Sequence, residues 1–575
     1  MKAYKDLTKN LKKDFSELKK IRIALLGDSA TQLLVKALKG YGYEVNCLFE
    51  IFEADYNQID LQVFDPNSGF YQFNPEYVII FQSIEKLTKT FYKLDDNERK
   101  EFAANKTAKI SVIYQTITSG LKCRIICFNF NESDDGIFGN YAAKVSQSFI
   151  YQVRKLNLEL MNLSQIHQNL YLIDINSLYH TLGSAFCRDE KMYINSDLLF
   201  SIDFLPVVAK NLTDVILAIS GNFKKCLILD LDNTLWGGII GDDGLENIQI
   251  GDLGIGKAFS ELQRWIKQLK QRGIILAICS KNDEKIAKEP FEKHPEMVLR
   301  SDDIAVFIAN WENKAENIIQ IQNILNIGFD SMVFLDDNPF ERNMVRSNIP
   351  AIAVPELPED PAEYLVYLKG LNLFETASYT AEDERRTQQY REEGQRSVIK
   401  KQYINEDDFL SSLQMQSEVR RFDNYIIPRV AQLTQRSNQF NLRTIRYTEA
   451  DIREIANSTN YLGISFTLED KFGDYGLVSA IILKKQEENL FIDTWIMSCR
   501  VLKRGMETFV LDQIVQIAIE SGFKNIIGEF IPTLKNEMVK DHYQNLGFNQ
   551  IDNQTALYIL DCLQYKTLKT LIKIK

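Results

Sequence analysis

The stretch that most constrains this chain is residues 226–244, CLILDLDNTLWGGIIGDDG. Its first four residues are apolar and have the composition of a buried parallel strand. Asp230 and Asp232 follow directly. Because side chains alternate along an extended chain, both carboxylates should lie on one side at the carboxyl end of the strand, where open α/β sheets bind ligands. Two carboxylates this close repel unless a divalent cation lies between them or one is protonated, and an all-oxygen site suits Mg²⁺.

Length and charge restrict the classes of protein that remain. A chain of 575 residues exceeds what one hydrophobic core supports, so about two to four domains are expected. Hydrophobic residues make up 45% and charged residues 25%, as in ordinary soluble proteins. The net charge of −11 argues against a nucleic-acid binder, because the chain has no bulk positive field that would attract phosphates.

The cysteines and the apolar runs indicate a compartment. The eight cysteines are scattered, without a CxxC pair, which argues against a disulfide framework or a zinc site and favours a reducing environment. The lysine-rich start of the chain lacks the apolar core of a signal peptide. No apolar run reaches the roughly 18 residues that a membrane helix needs. We therefore expect a cytoplasmic protein without membrane contact.

Residues 1–220 alternate apolar runs with helical patterns, which predicts a parallel sheet with helices on its faces. The first run ends in Gly27, Asp28 and Ser29. This resembles the GDS block of SGNH hydrolases, a flavodoxin-like fold in which the serine is the nucleophile. The late DxxH block of that family is absent, and His167 and His180 stand outside its frame. We therefore expect Ser29 to cap the following helix and the domain to be a degenerate hydrolase.

Residues 221–370 predict a second parallel sheet whose strand ends carry more polar residues. Ser280 ends the run IILAICS, where its hydroxyl could meet a phosphate at the start of the next helix. Lys314 lies in a helical pattern, and Asp336 and Asp337 end a third apolar run. Between Thr234 and Ser280 the sequence has room only for a glycine-rich flap and one helix. The site should therefore lack a large covering domain.

The string LDLDNTLWGGIIGDDG resembles the nucleophile motif DxDxT of the haloacid dehalogenase (HAD) superfamily, and in particular that of FkbH-like proteins. The resemblance implies a Rossmann-like fold in which Asp230 attacks a phosphoryl group and Asp232 acts as general acid and base. The Asp232 backbone carbonyl is the alternative metal ligand to its side chain, and Asp337 would bind directly or through water. The residues that the resemblance assigns to phosphate oxygens are Thr234, Ser280 and Lys314. The residues that it assigns to Mg²⁺ are Asp230, Asp232, Asp336 and Asp337.

The last third of the chain changes character. Residues 371–410 are dense in charge and predict a solvated helical linker. Residues 411–575 carry longer strand-like runs, which predict a mostly antiparallel α+β domain. The stretches SCRVLKRGMETFVL and DHYQNLGF resemble GNAT acyltransferases and imply a site of Arg500, Lys503, Gly505 and Tyr543. Lys503 stands where that family has glycine, which counts against coenzyme A binding because a side chain limits the approach of the backbone.

Taken together, the stretches resemble FkbH-like proteins of HAD subfamily IIIC over essentially the whole chain, with SGNH-like and GNAT-like domains flanking the HAD domain. The resemblance implies a Mg²⁺-dependent glyceryltransferase and phosphatase of polyketide or secondary-metabolite biosynthesis. It would convert 1,3-bisphosphoglycerate into a glyceryl thioester on an acyl carrier protein and release phosphate. Alternatives are a HAD phosphatase for another phosphorylated metabolite, a GNAT-type acyltransferase with an accessory HAD domain, and a scaffold without chemistry.

The acyl half of that reaction needs a thiol and a docking surface. The thiol would be the carrier's phosphopantetheine or, first, an enzyme cysteine, with Cys279 ahead of Cys226 and Cys499. Cys279 should point into the core by strand alternation, where thiols are usually inert. An acidic carrier protein calls for a basic surface. The candidates for it are Arg385, Arg386, Arg391, Arg436, Arg443 and Arg446.

Overall fold

The computed structural model describes residues 2–383, 385–400, 402–533, 535–551 and 556–575. These residues divide into two compact units, Met1–Leu217 and Ala218–Lys575. The division falls close to the predicted boundary at residue 220. The boundaries expected inside the second unit stay predictions.

A parallel sheet forms the centre of the first unit, with the strand order β2-β1-β3-β4-β5. This order is the flavodoxin-like doubly wound one. β2 was not expected from the sequence, because only alternate residues of CLFEIFE, such as Cys47 and Phe49, are buried. The strands are β1 Lys19–Gly27, β2 Cys47–Glu53, β3 Tyr77–Phe81, β4 Arg124–Phe128 and β5 Leu170–Ile173.

Helices connect these strands and cover the sheet, so that its central strands are buried on both faces. The helices, in chain order, are α1 Tyr4–Asn10, α2 Gln32–Glu44, α3 Ile59–Phe64, α4 Gly69–Phe73, α5 Ile84–Phe91, α6 Asp96–Lys100, α7 Phe102–Gly120, α8 Phe149–Ile166, α9 Ile175–Leu182, α10 Ser184–Cys187, α11 Glu190–Ser196 and α12 Leu205–Ile219.

The second unit begins with another parallel sheet, in the order β8-β7-β6-β9. Helix α14 packs its apolar stripe (Phe259, Leu262, Ile266 and Leu269) into the core on one face, as its spacing predicts. The strands are β6 Cys226–Leu229, β7 Ile275–Ser280, β8 Val306–Ala309 and β9 Met332–Leu335. The accompanying helices are α13 Ile240–Asp243, α14 Gly256–Gln271, α15 Glu284–Lys293, α16 Lys314–Leu325, α17 Pro339–Asn348 and α18 Tyr364–Gly370.

A mixed sheet follows, in the order β16-β17-β15-β14-β13-β12-β10-β18, with β11 also paired to β12. Most of its neighbours are antiparallel, but β14 pairs with β15 in parallel. Its strands are β10 Gln416–Ser417, β11 Val419–Arg421, β12 Tyr461–Asp470, β13 Gly473–Gln486, β14 Asn489–Met497, β15 Asn525–Glu529, β16 Asn549–Gln550, β17 Leu557–Asp561 and β18 Lys573–Ile574. Its helices are α19 Arg386–Lys400, α20 Glu406–Ser412, α21 Ile427–Arg436, α22 Glu449–Asn457, α23 Met506–Glu520 and α24 His542–Asn545.

The expected fold class is confirmed at the level of its sheets, two parallel and one mixed, in the part of the chain that the structure describes. Within that part, no helix combines the length and the apolar character needed to cross a bilayer.

The prediction of a solvated linker is wrong for helix α19. This helix contacts β7, β8 and α16 of the parallel sheet layer and also β13 of the mixed sheet. Tyr390 is buried in the core that includes β6 and β9. Arg396 is 1% exposed, and its Nε and Nη2 donate to the Asp470 carboxylate at 2.9 and 2.8 Å. Charged composition alone does not distinguish solvated charges from charges that are paired inside the protein.

Candidate functional site

The polar residues that end strands of the second unit's parallel sheet converge at its carboxyl edge. β6 lies between β7 and β9, and all three run in parallel. Asp230 directly follows β6, Ser280 ends β7, and Asp336 directly follows β9. Lys314 is the first residue of α16, whose N-cap Asn313 accepts a hydrogen bond from the Ala315 amide at 2.7 Å. The sheet therefore gathers residues from four separate segments at one edge, as the sequence predicts.

Three carboxylates form a compact cluster there. One oxygen each from Asp230, Asp336 and Asp337 lie within 4.8 Å of one another. Lys314 Nζ lies 3.0 Å from Asp230 Oδ1 and 2.6 Å from Asp336 Oδ2. Asp230, Asp336 and Lys314 are all buried, with 6%, 0% and 3% exposure. Lys314 thus faces the two buried carboxylates of Asp230 and Asp336, and the partly buried Asp337 completes the cluster.

The charges in this cluster are not balanced by the protein. Burial and the charge of Asp230 together raise the pKa of Asp336 to about 7, against the opposing effect of Lys314. Burial also raises the pKa of Asp337. Burial alone would lower the pKa of Lys314, but the Asp230 and Asp336 carboxylates hold it above its usual value. A set of carboxylate oxygens with excess negative charge fits a hard divalent cation such as Mg²⁺.

The Asp232 side chain lies outside this carboxylate cluster. Its Oδ1 accepts hydrogen bonds from Trp236 Nε1 and from the Ile240 amide, both at 3.0 Å, and its Oδ2 accepts one from Asn282 Nδ2 at 2.8 Å. Burial raises its pKa, and these hydrogen bonds oppose the shift. The structure therefore does not bring the Asp232 carboxylate to the proposed metal ligands. Of the two alternatives, only its backbone carbonyl stays a predicted ligand.

The other predicted phosphate residues are buried at the same edge. Ser280 is 2% exposed and Thr234 is fully buried. Thr234 Oγ1 accepts a hydrogen bond from the Asp337 amide at 3.1 Å and lies 3.4 Å from Asp337 Oδ1. Thr234 therefore contacts Asp337 and positions it, in addition to the phosphate-binding role predicted for Thr234.

The predicted flap after Asp232 is present as a short irregular excursion. Gly237 pairs with Gln249 in an antiparallel bridge, and α13 lies between them. Only α13 and α14 separate β6 from β7, in a segment that the structure describes throughout. The sequence's prediction that no large domain is inserted between these motifs therefore agrees with the element order.

Two supporting residues were not predicted from the sequence. Asn282 binds Asp232, as described above, and Arg342 Nη1 donates to the backbone carbonyls of Asp336 and Asp337 at 2.8 and 2.6 Å. Arg342 is buried. The sequence position of Arg342 could have predicted this role, because it lies in α17 shortly after the two aspartates, and a helix there directs the side chain back toward the end of the strand.

Comparison with solved structures finds a close relative of this chain. It is the N-terminal part of the protein BF1531 from Bacteroides fragilis, described as containing a phosphatase domain complexed with Mg. The identity is 53% over 66% of this chain and 100% of that one, with a TM-score of 0.64. The chain belongs to the BF1531 family. Residues 22–217 also match the family described as the FkbH N-terminal domain.

Other likenesses of this BF1531-family protein are more distant. The ribosomal-protein-S18-alanine N-acetyltransferase from Escherichia coli is 12% identical over 26% of this chain and 94% of its own length, with a TM-score of 0.21. A GNAT-family acetyltransferase from Staphylococcus aureus is 12% identical over 25% of this chain and 99% of its own, with a TM-score of 0.21. No curated protein matches the chain.

The cysteines considered for acyl transfer differ in access. Cys279 and Cys226 are fully buried, and burial raises the pKa of both thiols. Cys279 Sγ lies 3.6 Å from the Lys314 backbone carbonyl and points into the core, as strand alternation predicts. Cys499 is half-buried, whereas the other seven cysteines, all within the described residues, are buried. Access therefore favours Cys499 over the first choice, Cys279.

The GNAT-like residues of this BF1531-family chain do not form one open site. Lys503 and Gly505 have φ angles of +63° and +78° in the turn before α23. The Arg500 side chain instead contacts Gln389 and Ser498. Tyr543 is 1% exposed, its ring stacks on Tyr558, and burial raises its pKa. The hydroxyl of Tyr543 is therefore enclosed in the core, which contradicts an exposed acid.

Ser29 does not cap the helix that follows it. The N-cap of α2 is Thr31, and Ser29 is 4% exposed with no hydrogen-bond partner for its Oγ among the described residues. His167 packs on Tyr114. A working serine nucleophile needs a hydrogen bond to a base. In the described part of the chain Ser29 has no such hydrogen bond.

The arginines expected to dock a carrier protein are mostly engaged inside the unit. Arg386 and Arg436 both pair with Asp383, and Arg443 pairs with Asp493 and Glu529. Arg446 donates to the backbone carbonyl of Ser437 at 2.9 Å. Arg391, 41% exposed, pairs with Asp302, and Arg385 is exposed. The six therefore do not form one free surface, because charge runs in the sequence do not show which side chains are satisfied internally.

Proposed function

We propose that this chain is a Mg²⁺-dependent phosphatase that acts through a phosphorylated Asp230. The observation that carries the proposal is the cluster of Asp230, Asp336 and Asp337 at the carboxyl edge of the sheet, with Lys314 paired to Asp230 and Asp336. Support comes from the 53% identity to the part of BF1531 that contains a phosphatase domain complexed with Mg. Asp230, Asp336 and Asp337 would hold the cation, which would neutralise charge on the phosphoryl oxygens.

The first chemical step is assigned to Asp230. A carboxylate oxygen of Asp230 forms a bond to phosphorus while the bond from phosphorus to the substrate oxygen breaks. Lys314, 3.0 Å from Asp230 Oδ1, orients this carboxylate and adds positive charge beside the phosphoryl group. Ser280, at the end of β7, is placed to bind a phosphoryl oxygen.

Proton transfer is assigned to Asp232. In the proposed cycle this carboxyl carries a proton before the reaction; burial raises its pKa, and the hydrogen bonds from Ile240, Asn282 and Trp236 oppose that shift. It gives that proton to the leaving oxygen and then takes one from the water that attacks phosphorus. That attack breaks the bond between phosphorus and Asp230 and releases inorganic phosphate. Trp236, Ile240 and Asn282 fix the carboxyl in place through the whole cycle.

We further propose the specific reaction that the FkbH-like resemblance implies. The substrate would be 1,3-bisphosphoglycerate, and the glyceryl group would pass to the phosphopantetheine thiol of an acyl carrier protein. An acyl phosphate is already activated, so the thiolate attacks the carbonyl carbon and displaces the 1-phosphate without a further energy source, while the Asp230 chemistry removes the 3-phosphate. The element order supports this choice, because the connections from β6 to β7 and from β7 to β8 carry no inserted domain that would exclude a long carrier-bound arm.

The test uses the full chain with Mg²⁺, 1,3-bisphosphoglycerate and a pantetheinylated carrier protein, with intact-mass analysis of the carrier and an assay of free phosphate. Carrier loading with phosphate release supports the specific proposal. Phosphate release without loading supports only a phosphatase. Consumption of acetyl-CoA with neither product supports the acetyltransferase alternative.

Variants separate the chemistry from simple misfolding. We expect Asp230→Asn to abolish release of the ester 3-phosphate, because an amide is not a nucleophile at phosphorus. The matched control is Asp302→Asn, an exposed carboxylate in a surface ion pair with Arg391, which should keep wild-type turnover. Undiminished phosphate release by Asp230→Asn would refute the proposal.

A further inference from the structure

A second cavity lies at the opposite edge of the same parallel sheet. It has a volume of 440 Å³ and is lined by residues at the amino ends of the strands, among them Lys225, Ile275 and Ser331. Its other wall comes from α19, from α21 and from residues 497–500 at the end of β14. The strands between the two edges are four to six residues long, which separates this cavity from the carboxylate cluster by about 13 Å or more at roughly 3.3 Å per residue.

The cavity is strongly basic. Six basic side chains line it, whereas Asp330 is the acidic residue in its lining, within the part of the chain that the structure describes. The carboxylates that pair with the six are Asp330, Glu382 and Asp383. Six positive charges therefore face three negative ones. The six are Lys225, Arg386, Arg429, Arg436, Arg500 and Lys535.

These charges are also poorly solvated. The side chains of Arg429 and Arg436 are 13% and 10% exposed. Burial lowers the pKa of Arg436 to about 9, with the charge of Arg386 adding to the shift and Asp383 opposing it. Burial likewise lowers the pKa of Lys225 to about 8. Arg436 Nε has no hydrogen-bond partner among the described residues. A buried cationic wall with an unsatisfied donor is unfavourable unless an anion occupies the space it faces.

The remaining lining indicates what kind of anion would fit. Tyr390, Phe440 and Met497 supply apolar surface, while Ser437 and Asn438 supply neutral hydrogen-bonding groups. This mixture of a few charged groups with apolar surface is typical of small-molecule sites. Arginine binds phosphate and carboxylate groups through paired N–H donors.

We propose that this cavity, which we name the basic cavity, is a second ligand site, for a small organic molecule that carries two or more phosphate or carboxylate groups. Arg429, Arg436 and Arg500 would bind the anionic groups, and Tyr390 and Phe440 would pack on the organic part. The site is independent of the phosphatase chemistry, because its residues come from the other edge of the sheet.

Cys499 gives a direct readout of occupancy. It lines the basic cavity and is the half-buried cysteine described above. The rate of its alkylation by iodoacetamide can be followed by peptide mass spectrometry, with the seven buried cysteines as internal references. The probe is pyrophosphate, titrated in EDTA without Mg²⁺, and the ionic-strength control is NaCl. Tricarballylate provides a polycarboxylate arm.

We expect saturable protection of Cys499 by pyrophosphate but not by NaCl at equal ionic strength. Arg500→Met and Lys225→Met should each raise the apparent Kd for pyrophosphate by about 10–100-fold, the effect of losing one charged hydrogen bond. The matched control is Arg346→Met, an arginine of α17 that is 32% exposed and lies outside the cavity lining, which should leave the Kd unchanged. Protection by tricarballylate as well would assign the site to anions generally, and its absence would assign it to phosphates.

Isothermal titration covers the case in which a bound anion leaves Cys499 uncovered. Heat of pyrophosphate binding that Arg500→Met and Lys225→Met lose, and that Arg346→Met keeps, would also support the site. The proposal is overturned by equal protection from NaCl, by effects that are the same in all three variants, or by the absence of both protection and heat. None of these readouts uses turnover, so they stand or fall separately from the proposed phosphatase.

Discussion

Replacing Lys314 with methionine tests whether this lysine is the internal counter-charge of the carboxylate cluster. Its Nζ lies 3.0 Å from Asp230 and 2.6 Å from Asp336, and all three side chains are buried. Removing one partner of a buried ion pair costs about 3–5 kcal/mol, because an uncompensated charge is left in the interior. Methionine keeps much of the side-chain volume, so the loss of packing should be small by comparison.

The assay is hydrogen exchange of peptides that cover β6 and β9, measured in EDTA and again with Mg²⁺. A loss of about 3–5 kcal/mol speeds exchange of the protected amides by about two to four orders of magnitude. We expect Mg²⁺ to restore most of the protection, since a cation held by the same carboxylates replaces the missing positive charge. The control is Lys293→Met, which breaks a surface pair with Glu289 and should change exchange little. Equal exchange in Lys314→Met and the wild type without Mg²⁺ would refute this account.

Further predictions follow from individual contacts. Asp232→Asn should lower phosphate release by at least about 100-fold. It should leave the Mg²⁺ affinity nearly unchanged in titration calorimetry, because the Asp232 side chain accepts hydrogen bonds from Trp236, Ile240 and Asn282. A large loss of affinity would show that this carboxylate binds the metal. Arg396→Met should destabilise the second unit by about 3–5 kcal/mol in urea unfolding, because it breaks a buried ion pair with Asp470. Arg391→Met breaks an exposed ion pair with Asp302 and should cost under about 1 kcal/mol. Similar urea midpoints for the two variants would contradict the burial of Arg396. Tyr543→Phe should leave carrier loading and stability unchanged or slightly improved, because the lost hydroxyl has no hydrogen-bond partner among the described residues. A strong loss of carrier loading would show that this hydroxyl takes part in the reaction.

The convergence of Asp230, Ser280 and Asp336 was predictable from the sequence. Each residue ends an apolar run, and the carboxyl ends of parallel strands meet at one edge of a sheet. The flavodoxin-like first sheet was predictable for a similar reason, although β2 was missed because only Cys47 and Phe49 of its seven residues are fully buried.

The environment of each side chain was not predictable in the same way. Alternation put Asp230 and Asp232 on the same side, but their carboxylates have different partners: Lys314 for Asp230, and Trp236, the Ile240 amide and Asn282 for Asp232. The linker helix α19 was misjudged because composition does not show which neighbour a helix packs against. The basic cavity joins Lys225 to Lys535, and no local pattern connects residues so far apart in the chain.

The brief connections between β6 and β8 bear on how selective such an enzyme can be. Where no inserted domain covers the reacting phosphorus, substrate selectivity depends on the few residues that contact the phosphoryl group. It also depends on any carrier protein that holds the rest of the substrate. Small unspecific esters and tetrahedral oxyanions such as vanadate should then enter as readily as a physiological substrate, and preference among them should track leaving-group chemistry more than molecular shape.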